Sequence, residues 1–187
     1  MEPSGAAAFV PTQIKPPHGR IPMRMPAAIL LTMIAAGSAT AQMQGHMAML
    51  TATGGKPAGM VSLIEAPKGV LLKVDATGLK PGWHAIHVHE KGDCSDAAFK
   101  NAGAHTHAAT PAVHGLLNPQ ANDTGDLPNI WVGSDGTAQA ELFTPLLTMA
   151  ALTDADGSAI VIHANADDHR SQPIGGAGDR VACGVVK

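Results

Sequence analysis

Three histidines fall close together in Gly82-Trp83-His84-Ala85-Ile86-His87-Val88-His89-Glu90, and their spacing is the first chemical signal in the chain. The surrounding residues alternate as a strand does. Successive side chains of a strand point to opposite faces, so His87 and His89 share one face, about 7 Å apart along the backbone. Two imidazoles at that separation can reach one metal ion. His84 falls on the other face with Ile86 and Val88, where a buried, hydrogen-bonded structural histidine is expected. Alone, a His-x-His pair fits a metal site and fits an ordinary half-exposed strand equally well.

The rest of the chain supplies more groups of the same chemistry. Lys91 to Asn129 has little periodicity, and a loop of that length in a compact domain needs a function and something to pin it. It carries His105, His107, His114, Asp123 and Asp126, five metal-ligand types within 22 residues. Ala159-Ile160-Val161-Ile162-His163 reads as a buried strand that ends in a histidine, and Ala164 to Asp179 as a second irregular loop.

The elements that must hold these groups are short strands. His46–Ala52 and Met60–Ala66 flank the turn Gly54-Gly55-Lys56-Pro57, and Val70–Ala76 follows the turn at Lys68-Gly69. Ile130–Val132 and Thr137–Phe143 flank an Asp-Gly hairpin turn, and Arg180–Val186 is the last strand. With 21 Gly, 14 Pro, three Phe, two Trp and no Tyr in 187 residues, the composition favours a loop-rich β fold over a helical bundle. Tight turns at this spacing indicate an antiparallel sandwich or barrel.

Residues 1–41 read as an N-terminal extension and secretory signal, with residues 42–187 as the functional domain. Arg24 precedes the apolar run Ala27 to Ala36, and Ala39-Thr40-Ala41 is a small-x-small cleavage site. The apolar run is too short to span a bilayer stably, so no membrane association is expected after cleavage. Met23 or Met25 fits a conventional start better than Met1. Removing these residues leaves nine basic against fourteen acidic residues, a formal charge of −5. There is no basic run of the kind that binds nucleic acid. Export to an oxidising periplasm would join the two cysteines, Cys94 and Cys183. The new N-terminus, Gln42-Met43-Gln44-Gly45-His46-Met47-Ala48-Met49, offers thioethers and an imidazole that can hold Cu(I). Its simpler reading is a frayed tail running into the first strand.

In order, these pieces resemble the copper/zinc superoxide dismutases, in particular the exported bacterial type, from about Met47 to Lys187. The resemblance is carried by Gly-x-His-x-x-His-x-His-Glu, Gly-Asp-Cys, Ala-Gly-x-His, His-Gly and Gly-Asp-Leu, then by His163 with Asp167, and by Gly-Asp-Arg-Val-Ala-Cys-Gly-Val at the end. It implies an eight-stranded Greek-key β-barrel or sandwich with two long functional loops. It also implies dismutation of superoxide anion to dioxygen and hydrogen peroxide, by a monomer or homodimer.

The resemblance places copper, cycling between Cu(II) and Cu(I), on His87, His89, His105 and His163. It places Zn(II) on His105, His114, Asp123 and Asp126, with His105 as the shared bridge that takes up and surrenders a proton. Asp167 would orient one histidine of each set, and Arg180 would attract the anionic substrate. Asp123 stands where the family has its third zinc histidine, in register with both His114 and Asp126. The family's His-x-Asn-Pro is here His105-Thr106-His107-Ala108, so His107 is the alternative fourth ligand. His169 is expected to face solvent. The competing function is a periplasmic copper-binding or copper-delivery protein on the same fold, and the Met/His-rich N-terminus and altered zinc set are what favour it.

Overall fold

The computed structural model describes residues 45–187; the expected signal segment and its cleavage site at Ala41 lie outside the described residues. Nine strands run β1 (Gly45–Ala52), β2 (Pro57–Ala66), β3 (Gly69–Ala76), β4 (Gly82–His84), β5 (Ile86–His89), β6 (Ile130–Val132), β7 (Ala138–Thr144), β8 (Ala159–His163) and β9 (Arg180–Val185). Among the described residues one α-helix, α1 (Met149–Leu152), joins β7 to the run into β8 and is capped by the Thr148 side chain, and a 3-10 turn spans Lys100–Ala102. Seven strands form one antiparallel sheet in the order β5-β8-β9-β1-β2-β3-β7, and β4 pairs with β6 in a second.

The expected histidine strand is broken at Ala85, whose N–H and C=O leave the ladder to bond Asn165 O at 2.8 Å and His163 N at 2.9 Å. Counting β4 and β5 as one gives the expected eight. The break lets the same stretch pair with β8 on one side and β6 on the other, so it links the two sheets. The β6–β7 hairpin then returns to the far edge of the large sheet, and the sheet curls toward closure.

Alternation decides the core. Ala48 and Leu50 of β1, Val61 and Leu63 of β2, Val70, Leu72 and Val74 of β3, and Ile160 and Ile162 of β8 face one apolar interior. β5 and β8 are buried on both faces. Their even-numbered residues fill that interior, while the odd-numbered ones are covered from outside by the two long loops. Phe99, Ala102, Val161 and Cys183 form a second small cluster beneath the first loop, with Cys94 packed against it. The Cys94–Cys183 disulfide, Cα–Cα 5.8 Å, fastens that loop to β9.

Candidate metal centre

His87 and His89 leave β5 on the loop-covered face, and His163 ends the neighbouring β8. His105 comes from the first loop and is drawn to β5 by an isolated bridge to His89. All four imidazoles are buried. Their rings gather tightly, with centroids 4.0 Å apart for His87 and His105 and 4.9 Å for His87 and His163.

In each ring one nitrogen is held and the other is free. His87 Nε2 lies 2.8 Å from Asp167 Oδ2, His89 Nδ1 donates to Gly103 O at 3.0 Å, and His163 Nδ1 donates to Gly178 O at 3.1 Å. The opposite atoms, His87 Nδ1, His89 Nε2, His105 Nε2 and His163 Nε2, have no hydrogen-bond partner among the described residues. Burying an unpaired polar nitrogen costs about 1–3 kcal/mol. Four converging ones are what a metal position requires, and the four residues can present ligand atoms within 4.8 Å of one another.

His105 belongs to two groups. Its Nδ1 faces Asp126 Oδ1 at 3.0 Å and Asp123 Oδ2 at 3.2 Å. His114 Nδ1 lies 2.8 Å from Asp126 Oδ1 and 3.6 Å from Asp123 Oδ2. These four buried residues form a second possible ligand set. Two imidazoles and two carboxylates of this kind suit a tetrahedral zinc site. His107 lies outside the set: its Nδ1–H donates to His105 O at 2.9 Å, and its side chain is only part-buried. Asp123 is therefore the fourth group in position. Asp167 ties the sets together, with Oδ2 on His87 and Oδ1 3.1 Å from His114 Nε2.

The electrostatics follow from burial and these pairings. Desolvation pushes His89 down to about 2 and His163 to about 3, and lowers His87 despite its bond to Asp167. All three are neutral near pH 7, as metal ligands must be. Burial also opposes the charged form of His114, but its hydrogen bonds to Asp126 and Asp167 and the nearby Asp123 carboxylate outweigh it and carry the group up to about 11. His105 is raised for the same reason. Without metal the second set thus stores protons that a cation would displace.

Arg180, at the start of β9, is half-buried and locked by the first loop. Nη1 donates to Phe99 O at 2.5 Å and Nη2 to Gly103 O at 2.6 Å. Gly103 O therefore serves both His89 and Arg180. Phe99 sits in the left-handed region at φ 56, a conformation an aromatic residue rarely takes, and this turns its carbonyl toward the guanidinium. Arg180 lines a cleft of about 630 Å³ together with Lys100, Thr53 and Asp179.

His84 is buried as expected, with Nδ1 2.6 Å from His163 O and Nε2 2.7 Å from Lys80 O. His169 differs from expectation. It is turned inward at φ 59, its side chain is 19% exposed, and its backbone N–H donates to Asp167 Oδ1 at 2.6 Å.

Sequence reasoning missed Asn129. Its Nδ2 donates to Asp167 O and its Oδ1 accepts from Asp167 N, both at 2.8 Å, so one amide clamps that backbone from the end of the first loop. Gly175 was missed too. At φ +60 it passes so close that a Cβ there would overlap the Asp167 carboxylate. Asn129 carried one faint signal, its place beside the recognised Gly-Asp-Leu; Gly175 carried none of its own.

Comparison with known proteins agrees with this geometry. The family model described as copper/zinc superoxide dismutase (SODC) matches residues 57–186. The superoxide dismutase [Cu-Zn] of Caulobacter vibrioides is 61% identical over 146 residues, spanning 75% of this chain and 84% of the relative. The Escherichia coli protein of the same name is 34% identical over 175 residues, spanning 88% and 99%. Among solved structures, the Cu/Zn superoxide dismutase from Brucella abortus superposes with a TM-score of 0.65 at 30% identity, covering 77% of this chain and all of the other. A superoxide dismutase-like protein from Bacillus subtilis gives 0.69 at 33% identity, covering 75% and 97%. The chain belongs to the copper/zinc superoxide dismutase family. Copper and zinc are the metals of that family, and the two clusters present fitting donors for both.

Proposed function

We propose that this chain dismutates superoxide in the periplasm, with copper held by His87, His89, His105 and His163 and zinc by His105, His114, Asp123 and Asp126. The carrying observation is the set of four unpaired, buried histidine nitrogens, one on a ring whose other nitrogen faces the second cluster. Overall, one superoxide gives up an electron and leaves as dioxygen, and a second accepts that electron with two protons and leaves as hydrogen peroxide. Copper, when bound, supplies the one-electron acceptor and donor, and zinc a non-redox anchor.

The protein's part lies in its residues. Arg180 keeps its charge at the cleft and draws a small anion to a chain whose overall charge would repel it. His105 Nε2 is the atom where a proton can be held and passed on, because Nδ1 is fixed by the two aspartates. Asp167 holds His87 and His114 in one tautomer each, a role that typically matters 10–100-fold in metal affinity. Neutral rings at His87, His89 and His163 offer copper their free nitrogens at once, whereas His105, raised by the two aspartates, must first give up a proton.

Periplasmic residence is supported by the apolar run ahead of Ala39-Thr40-Ala41 and by the disulfide, which persists in oxidising compartments. The copper-carrier alternative leaves Arg180 without a purpose, since storage needs no guanidinium locked at a cleft. The test is elemental analysis of the mature protein loaded with both ions, with superoxide consumption measured on the same sample. Stoichiometric copper and zinc with activity is expected. Copper without activity would overturn the enzyme reading. N-terminal sequencing of the periplasmic fraction should begin at Gln42.

A further inference from the structure

Three of the four methionines among the described residues lie together on an exposed part of the sheet; only Met149 is buried in the core. Met47 and Met49 alternate with the buried Ala48 and Leu50 along β1, and are 50% and 64% exposed. Met60 of β2, 37% exposed, stands directly opposite Met49 in the antiparallel register, with Ser62 opposite Met47. Directly opposed Cβ atoms are about 5 Å apart and diagonal ones about 7–8 Å. Each methionine carries its sulfur on a flexible unbranched arm that reaches across such gaps.

The neighbouring rows of the same face are built otherwise. Met60 pairs onward with Asp75, and Ser62 with Lys73, whose ammonium meets Glu141 at 2.8 Å. The outer face thus carries charge at Lys73, Asp75 and Glu141 and thioethers at Met47, Met49 and Met60. Valine, isoleucine or threonine would suit an exposed strand better by propensity. What methionine adds at all three positions is a soft sulfur donor, and such donors select Cu(I) over zinc and the hard cations. Beside the two β1 sulfurs runs a groove of about 410 Å³ bounded by Thr51, the Cys94–Cys183 disulfide and Lys187, so the thioethers are open to an incoming ion.

We infer that Met47, Met49 and Met60 form a thioether site for a soft monovalent cation, Cu(I), on the outer face of the sheet and separate from the histidine clusters. The three thioether sulfurs are neutral and have no proton to release, so binding there is insensitive to pH. The site holds Cu(I) at the protein surface, apart from the buried centre.

The test uses silver(I), a redox-inert stand-in for Cu(I), with the full mature chain already loaded with copper and zinc, so its outcome does not depend on the proposed catalytic assignment. Equilibrium dialysis in chloride-free buffer with elemental analysis should show one extra silver per chain and no loss of copper or zinc. X-ray absorption at the silver edge should show a sulfur-only first shell. The variant Met47→Leu/Met49→Leu/Met60→Leu, similar in volume and exposed, should lose that silver while keeping its copper and zinc content. Met149→Leu should keep it. Absence of extra silver, or its retention by the triple variant, would overturn the site. So would a triple variant that changes oligomeric state and still binds silver, because the patch would then be a protein contact.

Discussion

Asp123 shows how a reading from register meets a position in the structure. Its spacing from His114 and Asp126 proposes it as fourth ligand, and its carboxylate faces both histidines of the second cluster while His107 is turned to a backbone carbonyl. Asp123→Ala should weaken zinc by about tenfold or more and leave copper nearly unchanged, as read by competition with a chromophoric chelator. Equal zinc retention would show that Asp123 is not a ligand. Asn129 acts one step further out. Asn129→Ala frees the Asp167 backbone and should lower zinc affinity by about tenfold, with a shift in the copper electron-paramagnetic-resonance spectrum because His87 loses its fixed partner. Loss of stability with an unchanged spectrum would reduce Asn129 to a purely structural contact.

Between elements, the first loop does the most positioning. The disulfide holds it to β9 at one end, and Phe99 and Gly103 then present their carbonyls to Arg180, which is itself on β9. Strand, loop and guanidinium form a closed circuit. Cys94→Ser/Cys183→Ser removes a link across 89 residues of chain, for which the loop-entropy relation gives about 4–5 kcal/mol of stability. The same variant should lose catalytic efficiency beyond its loss of copper, because Arg180 is no longer held. Unchanged activity per bound copper would show that the carbonyls hold Arg180 without the bridge. The break at Ala85 matters at this scale too. It turns one histidine-bearing stretch into two short strands that fasten the large sheet to the small one, and it ties the start of the second loop to β5.

For the whole molecule, the opposed histidine shifts set a pH optimum for the metal-free fold. His87, His89 and His163 are lowered, so as pH falls below the unfolded histidine value of about 6.5 the unfolded chain binds protons that the native one refuses, and stability falls. His105 and His114 are raised, so their contribution is complete below that value and is lost as pH rises above it, for His114 as pH rises toward about 11. Urea midpoints of the metal-free protein should therefore peak near about pH 6.5 and fall on both sides. A midpoint that rises steadily to pH 9 would contradict the ion pairing of the second cluster. Charge distribution predicts a kinetic effect. Arg180→Ala should lower kcat/KM at low salt more than at high salt, since screening already removes part of its attraction. An identical loss at every ionic strength would assign Arg180 a contact role without steering.

Ligand chemistry was legible in the sequence because it resides in side-chain type and interval. His87 and His89 share a face by the two-residue period of a strand, and His105, His114, Asp123 and Asp126 crowd one aperiodic loop. The strands were legible because their apolar residues alternate and their turns carry Gly, Pro and Asp. What only the tertiary structure decided is how each imidazole is oriented. Gly103 O and Gly178 O accept from His89 and His163, as Phe99 O does from Arg180, and a carbonyl leaves no mark in residue identity. The roles of Asn129, Gly175 and the inward turn of His169 depend likewise on where a loop far along the chain comes to rest. The methionine patch combines both: the exposed pair on β1 follows from alternation, but Met60 joins it only through the register of β1 against β2.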